Sequence, residues 1–136
     1  MSTSAPARWF AAHQSARAPT FLYQFGYIPE FLRGRRKAAA HGFEMLFVFE
    51  ALARAPIPLP ASDGDQREMS LVHRCWVGFV TRSVPDCAAW PAYDPKTDSL
   101  MLFGEDGSHT VTGFRKAAYD ILVRIEEATL AKAKPR

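Results

Sequence analysis

The sequence predicts an α/β chain with an incomplete sheet, and three observations carry that reading. TFLYQFGY at 20–27 is a run of aromatic and β-favouring residues held between Pro19 and Pro29, the composition and bounding of a strand. SLMLFG at 99–104 reads as a second, shorter strand. Three to four helical patterns surround these two. Strands in such company leave backbone N–H and C=O groups in need of partners. A self-sufficient α/β domain carries several strands alternating with helices, so residues 1–136 read as a single partial domain.

The elements follow in chain order. Residues 6–15 form a helix, with Pro6 suited to its first turn and Trp9, Phe10 and Ala12 to His13 on one face. In the first strand Phe21, Tyr23 and Phe25 alternate with Leu22 and Gln24, so at least one side must be covered. Residues 28–40 form an arginine-rich loop, and EMLFVF at 44–49 opens a short helix. RAPIPLPASDGD at 54–65, with three prolines and a glycine, is a linker. Its Asp63 or Asp65 is placed to cap a helix over 66–82, where Val72, Cys75, Trp76, Phe79 and Val80 recur at helical spacing. Pro85 lies beyond that helix, and WPAYDPKTD at 90–98 is a turn region. A last helix over 113–132 sets Phe114, Ala118, Ile121, Leu122 and Ile125 on one stripe.

Composition narrows the function classes. Apolar residues make up 48% of the chain, which suits a buried core and not a disordered tail. The net charge of +3 is too mild for phosphate binding, which needs a concentrated basic face. The cluster Arg33, Arg35, Arg36 and Lys37 carries no interleaved aromatic platform and reads as a solvated loop, so no nucleic acid is expected. Cys75 and Cys87 define no disulfide framework; Cys75 reads as a small buried hydrophobe, and neither cysteine has metal-ligand spacing. No apolar run approaches the roughly 18 residues of a membrane helix. The first residues hold no signal-type hydrophobic core, so a cytoplasmic chain without membrane contact is the default expectation.

The chemistry-bearing stretch is AAAHGFEMLFVFE at 38–50. It seats an imidazole, His41, between small residues at the mouth of an apolar run. Imidazole titrates near working pH with little help, as a general base must. The remaining histidines, His13, His73 and His109, sit near the end of the first helix, within the 66–82 helix and in a loop; they read as structural or solvated, with no metal site.

The order of motifs is specific. TFLYQF (20–25), AHGFEMLFVF (40–49), Met69 with Trp76 and Phe79, WPAYDP (90–95) and Met101 with Phe103 together resemble the C-terminal portion of the type-B carboxylesterases, the α/β-hydrolase family that includes the cholinesterases. PARWFA (6–11) resembles the helix preceding the strand in bacterial members, so the likeness spans about 5–105, and the closing helix matches in position only. The resemblance implies the C-terminal fragment of an α/β-hydrolase fold. It implies that His41 is the general base of a Ser–Glu–His triad, with Glu44 in a supporting role and neither cofactor nor metal. Carboxylic esters would be the substrates, through an acyl-serine intermediate. The nucleophile elbow of this fold reads G-x-S-x-G, and no such stretch occurs here: Ser108 follows Gly107 but precedes His109. The serine and the acid are therefore expected outside these residues, on an N-terminal esterase half, and the chain alone is expected to be inactive. The alternative is a non-catalytic protein-interaction module derived from an esterase tail. Glu50 replaces the glycine that usually ends the family's V-F-G, which puts the turn after Phe49 in question.

Overall fold

The computed structural model describes residues 4–54, 59–87 and 90–133. In chain order they form α1 (Ser4–Gln14), β1 (Tyr23–Phe25), a 3-10 turn at Glu30–Leu32, α2 (Met45–Val48), a second 3-10 turn at Leu52–Arg54, α3 (Asp63–Arg82), β2 (Ser99–Phe103), β3 (His109–Thr112) and α4 (Lys116–Ala133). Part of the linker expected at 54–65 lies outside the described residues. Among the described residues no helix is long and apolar enough to cross a membrane. The chain separates into two compact units, one of Met1–Leu22, Pro91–Leu100 and Val111–Arg136, the other of Tyr23–Trp90 and Met101–Thr110.

The strands form one sheet in the order β1-β2-β3. β1 runs parallel to β2, with Tyr23 opposite Met101, Gln24 opposite Leu102 and Phe25 opposite Phe103. Parallel neighbours require a long crossover, and here α2 and α3 lie within it. The strand expected over 20–27 is shortened to three residues, because only these pair along β2; Gly26 N–H adds one bond to Phe103 O at 2.8 Å. β2 is apolar and buried at Leu100, Met101 and Phe103, the pattern of a strand covered on both faces. β3 is an addition to the sequence reading, which placed His109 in a loop. Its sequence HTVT carries an alternation too brief to stand out, and its partner is supplied only by the fold.

In the unit containing β1, α2 packs on α3. Phe47 of α2 and Phe103 of β2 are fully buried, each worth roughly 2–3 kcal/mol of apolar burial. Phe25 and Tyr27 meet Phe47 edge-on, Trp90 meets Phe103 edge-on, and Trp76 stands edge-on to Tyr23. Helix α3 starts three residues earlier than expected, and its cap is Ser62, not Asp63 or Asp65. Ser62 Oγ accepts from Asp65 N–H, and the Asp65 carboxylate accepts from Ser62 N–H, a reciprocal capping box. Val72 and Cys75 of the expected stripe are buried, but Phe79 is 38% and Val80 74% exposed. Cys75 is not a free hydrophobe: it is disulfide-bonded to Cys87. Sequence spacing could not reveal this pair, since the chain must double back after α3 to bring the two together.

The other unit packs α1 against α4. Arg8 of α1 is buried and grips Asp98 through two bonds, Nε to Oδ1 at 2.7 Å and Nη2 to Oδ2 at 2.9 Å. Tyr93 donates to the same carboxylate at 3.0 Å, and the Arg8 guanidinium lies over the Tyr119 ring. Burial, followed by the bond to Asp98, pushes the Tyr93 phenol up to about 12. The apolar stripe expected on the last helix leaves Ile121, Leu122 and Ile125 exposed.

Candidate active site

The loop carrying His41 is delivered by β1 and anchored at both ends. On the strand side the anchor is Asp65, which is fully buried at the start of α3. It accepts from Tyr27 Oη at 2.8 Å and from Glu30 N–H at 3.1 Å, so the turn leaving β1 is tied to the helix cap. Burial, then the bond to Asp65, raises the Tyr27 phenol well above its ordinary value. Arg33 adds a bond from Nε to Ile28 O at 2.9 Å, lies over the Tyr27 ring and pairs with Glu105 at 3.7 Å. That arginine, expected to be a solvated charge, is partly structural; Arg35, Arg36 and Lys37 are exposed.

On the helix side the anchor is Phe47. Its ring sits 5.1 Å from that of Phe25, 5.3 Å from Tyr27 and 6.3 Å from Phe43. Between the anchors, Phe43 N–H bonds to Ala40 O and Met45 N–H to Gly42 O, both at 3.1 Å, so the backbone turns tightly about His41. Gly42 takes φ +78, a left-handed conformation that any side chain would strain, although nothing lies within 4 Å of where its Cβ would be. The glycine is there for the turn and not for space.

The His41 ring is exposed, and among the described residues it makes no hydrogen bond or ion pair. Glu44 is half-buried and flanks α2; its carbonyl accepts from Phe47 and Val48, while its side chain makes no capping bond. Its carboxylate acts at a distance on Tyr23, whose phenol is pushed up to about 12 by burial first and by Glu44 second. The structure therefore puts His41 and Glu44 on one tight turn without bonding them. A pocket beside this turn is lined by Tyr27, Leu32, Arg36, Ala40 and Phe43. Among the described residues no group of three or more His, Cys, Asp or Glu side chains is placed to hold a metal ion.

The turn after Phe49 survives the loss of the glycine. Glu50 itself adopts φ +49, and its carboxylate accepts from Ser70 Oγ at 3.2 Å. Across α3, His73 Nδ1 meets Val48 O at 2.7 Å, so that histidine steadies the end of α2. His109 Nδ1 contacts Gly107 O at 3.0 Å and His13 Nδ1 contacts Trp9 O at 2.8 Å; both are local backbone contacts. Sequence reasoning missed Asp65 as the loop's anchor. The S-x-x-D spacing of Ser62 and Asp65 was the signal available for it. It also missed Glu68, nearly buried, which accepts from Ser108 Oγ; burial raises its carboxyl, and the Ser108 bond works in the opposite direction. Nothing in the sequence links those two residues.

Known proteins resemble this chain in sequence and in fold. A profile of the carboxylesterase family matches residues 1–122. Carboxylesterase 1D of Rattus norvegicus is 30% identical over 98 residues, covering 67% of this chain and 17% of that protein. Liver carboxylesterase of Sus scrofa is 30% identical over 99 residues, covering 66% of this chain and 16% of that one. Among solved structures, a PNB esterase superposes with TM-score 0.69 at 21% identity, over 82% of this chain and 22% of the other, a likeness of fold. The chain thus spans about a sixth of the length of the two curated relatives, 17% and 16%.

Proposed function

Because the chain belongs to the carboxylesterase family, we propose that it supplies His41 as the general base of a serine ester hydrolase, with the serine and the acid carried by the rest of an esterase domain. The supporting observation is the setting of His41: an exposed imidazole on a tight turn whose two sides are pinned by buried Asp65 and buried Phe47. A base that must meet a hydroxyl within hydrogen-bond reach works only if its own position is held from behind, and an unengaged ring leaves both nitrogens free for partners. In the assembled enzyme one ring nitrogen takes the serine proton as Oγ attacks the ester carbonyl. The other is held by a carboxylate, which keeps the ring in the correct tautomer and stabilises the imidazolium. The same ring then returns the proton to the leaving alcohol, and water repeats the cycle on the acyl-serine. Glu44 supports this turn and is not the triad acid. The apolar wall beside the turn suits the hydrocarbon part of an ester. The outer edge of β1 is where a strand of the N-terminal half would add to the sheet.

The test is complementation. The isolated chain should not react with a fluorophosphonate probe or cleave p-nitrophenyl esters. Mixing it with an N-terminal half of a carboxylesterase that carries G-x-S-x-G should restore cleavage, and His41→Ala should lower the restored rate by on the order of 10^4- to 10^6-fold. An unchanged rate in that variant removes His41 from the reaction. Specific labelling of a serine in the isolated chain overturns the division of the triad.

A further inference from the structure

Helix α3 ends on Ser83, a non-glycine residue at φ 60 and ψ 17 whose N–H caps Phe79 O. A left-handed residue at this place stops a helix and turns the chain back. The returning segment lies directly on α3: Pro85 is buried, and a Cβ at Gly78 would collide with the backbone N and Cβ of Asp86. Cys87 then bonds to Cys75, 12 residues earlier, across a Cα–Cα distance of 5.0 Å. The polar contacts described for this return are weak. Arg82 meets Asp86 at 3.0 Å with side chains 59% and 54% exposed, and Arg74 Nε reaches Asp86 O at 3.2 Å on the surface; exposed pairs of this kind contribute little. Shortly beyond, Trp90 is buried edge-on against Tyr23 at 5.5 Å and Phe103 at 5.6 Å, in the cluster that covers β1 and β2.

We propose that the Cys75–Cys87 bond is a redox-sensitive clasp, which when oxidised holds residues 83–87 on α3 and seats Trp90, and when reduced releases both. Cys75 is fully buried and Cys87 half-buried, so a dithiol reductant attacks the Cys87 sulfur. The S–S bond breaks, the Cys75 sulfur leaves and takes a proton, and the reductant's second thiol then displaces Cys87 as a thiol while closing into its own disulfide. Two electrons and two protons reach the protein, and the reductant is oxidised by the same count.

Hydrogen exchange of the full chain with and without dithiothreitol decides the matter, alongside alkylation of the denatured protein to count thiols. Protein purified without reductant should take up no alkylating agent, and the reduced protein two equivalents. Reduction should speed amide exchange in 83–87, Trp90 and the last two turns of α3 at least fivefold, while α1 stays unchanged. Cys87→Ser, which leaves buried Cys75 in place, should show the fast exchange with or without reductant. Two free thiols in the untreated protein, a smaller acceleration, or a Cys87→Ser variant as protected as the oxidised chain would each overturn the clasp.

Discussion

In the unit built on α1 and α4, distant segments are tied by charge: Arg8 and Asp98 are 90 residues apart and meet in a buried, doubly bonded pair that Tyr93 also joins. In the unit built on β1, α2 and α3 they are tied by rings, with Phe25, Tyr27, Phe43 and Phe47 meeting at centroid distances of 5.1 to 6.3 Å, and by a disulfide. The two strategies fail differently. A buried ion pair concentrates its contribution in one contact, and removing one member leaves an uncompensated charge in the interior. A ring cluster spreads its contribution over many weak contacts, and a deletion leaves a cavity that neighbours partly fill. The His41 turn sits in the second kind of unit, where position is set by packing on both sides.

Substitutions at four positions probe this contrast, in order of expected effect. Asp98→Ala should cost about 3–5 kcal/mol by stranding the Arg8 guanidinium, read in a denaturant melt, with exchange in α1 and α4 rising ahead of α3. Arg8→Met with Asp98→Leu should recover most of that loss; if it does not, charge is not what ties the unit. Phe47→Ala should cost about 3–4 kcal/mol through its cavity, with Phe47→Leu losing well under half as much. Equal losses would mean ring contacts, not volume, hold α2. Glu50→Gly should stabilise by about 0.5–1 kcal/mol, because glycine adopts the left-handed conformation without a Cβ penalty; a destabilised variant would show that the Ser70 bond outweighs that strain.

The smallest effect is a pH slope. Burial raises the Glu68 carboxyl above its ordinary 4.5, so the folded chain binds that proton more tightly than the unfolded one. As pH falls through the raised value toward 4.5, this group adds stability; as pH rises through that window the contribution is lost. Glu68→Gln should flatten the dependence of Tm on pH there, and an unaltered slope would show that Glu68 stays ionised.

Much of the candidate site was legible because its signals are local. His41 beside Gly42 reports a turn, and the run after it reports an anchored helix; Phe47 of that run is indeed fully buried. The ordered motifs identified the family before any contact was known. What was illegible depends on pairing across the chain. Asp65 looked like a helix cap, and its part in tying Tyr27 and Glu30 to α3 appears only when β1 is laid beside it. The α4 stripe was legible, but not its exposure, because periodicity reports that a helix has an apolar face, not what covers it.

By itself the sequence determined the helices, the proline-bounded strand, the His41 turn and the family, since each rests on residues within a few positions of one another or on motifs in fixed order. Tertiary structure alone decided that β3 completes a three-stranded sheet, that Arg8 meets Asp98, that Cys75 finds Cys87 and that Ile121, Leu122 and Ile125 face outward. The physical reason is that hydrogen bonds, ion pairs and cross-links are short-ranged in space but indifferent to separation along the chain.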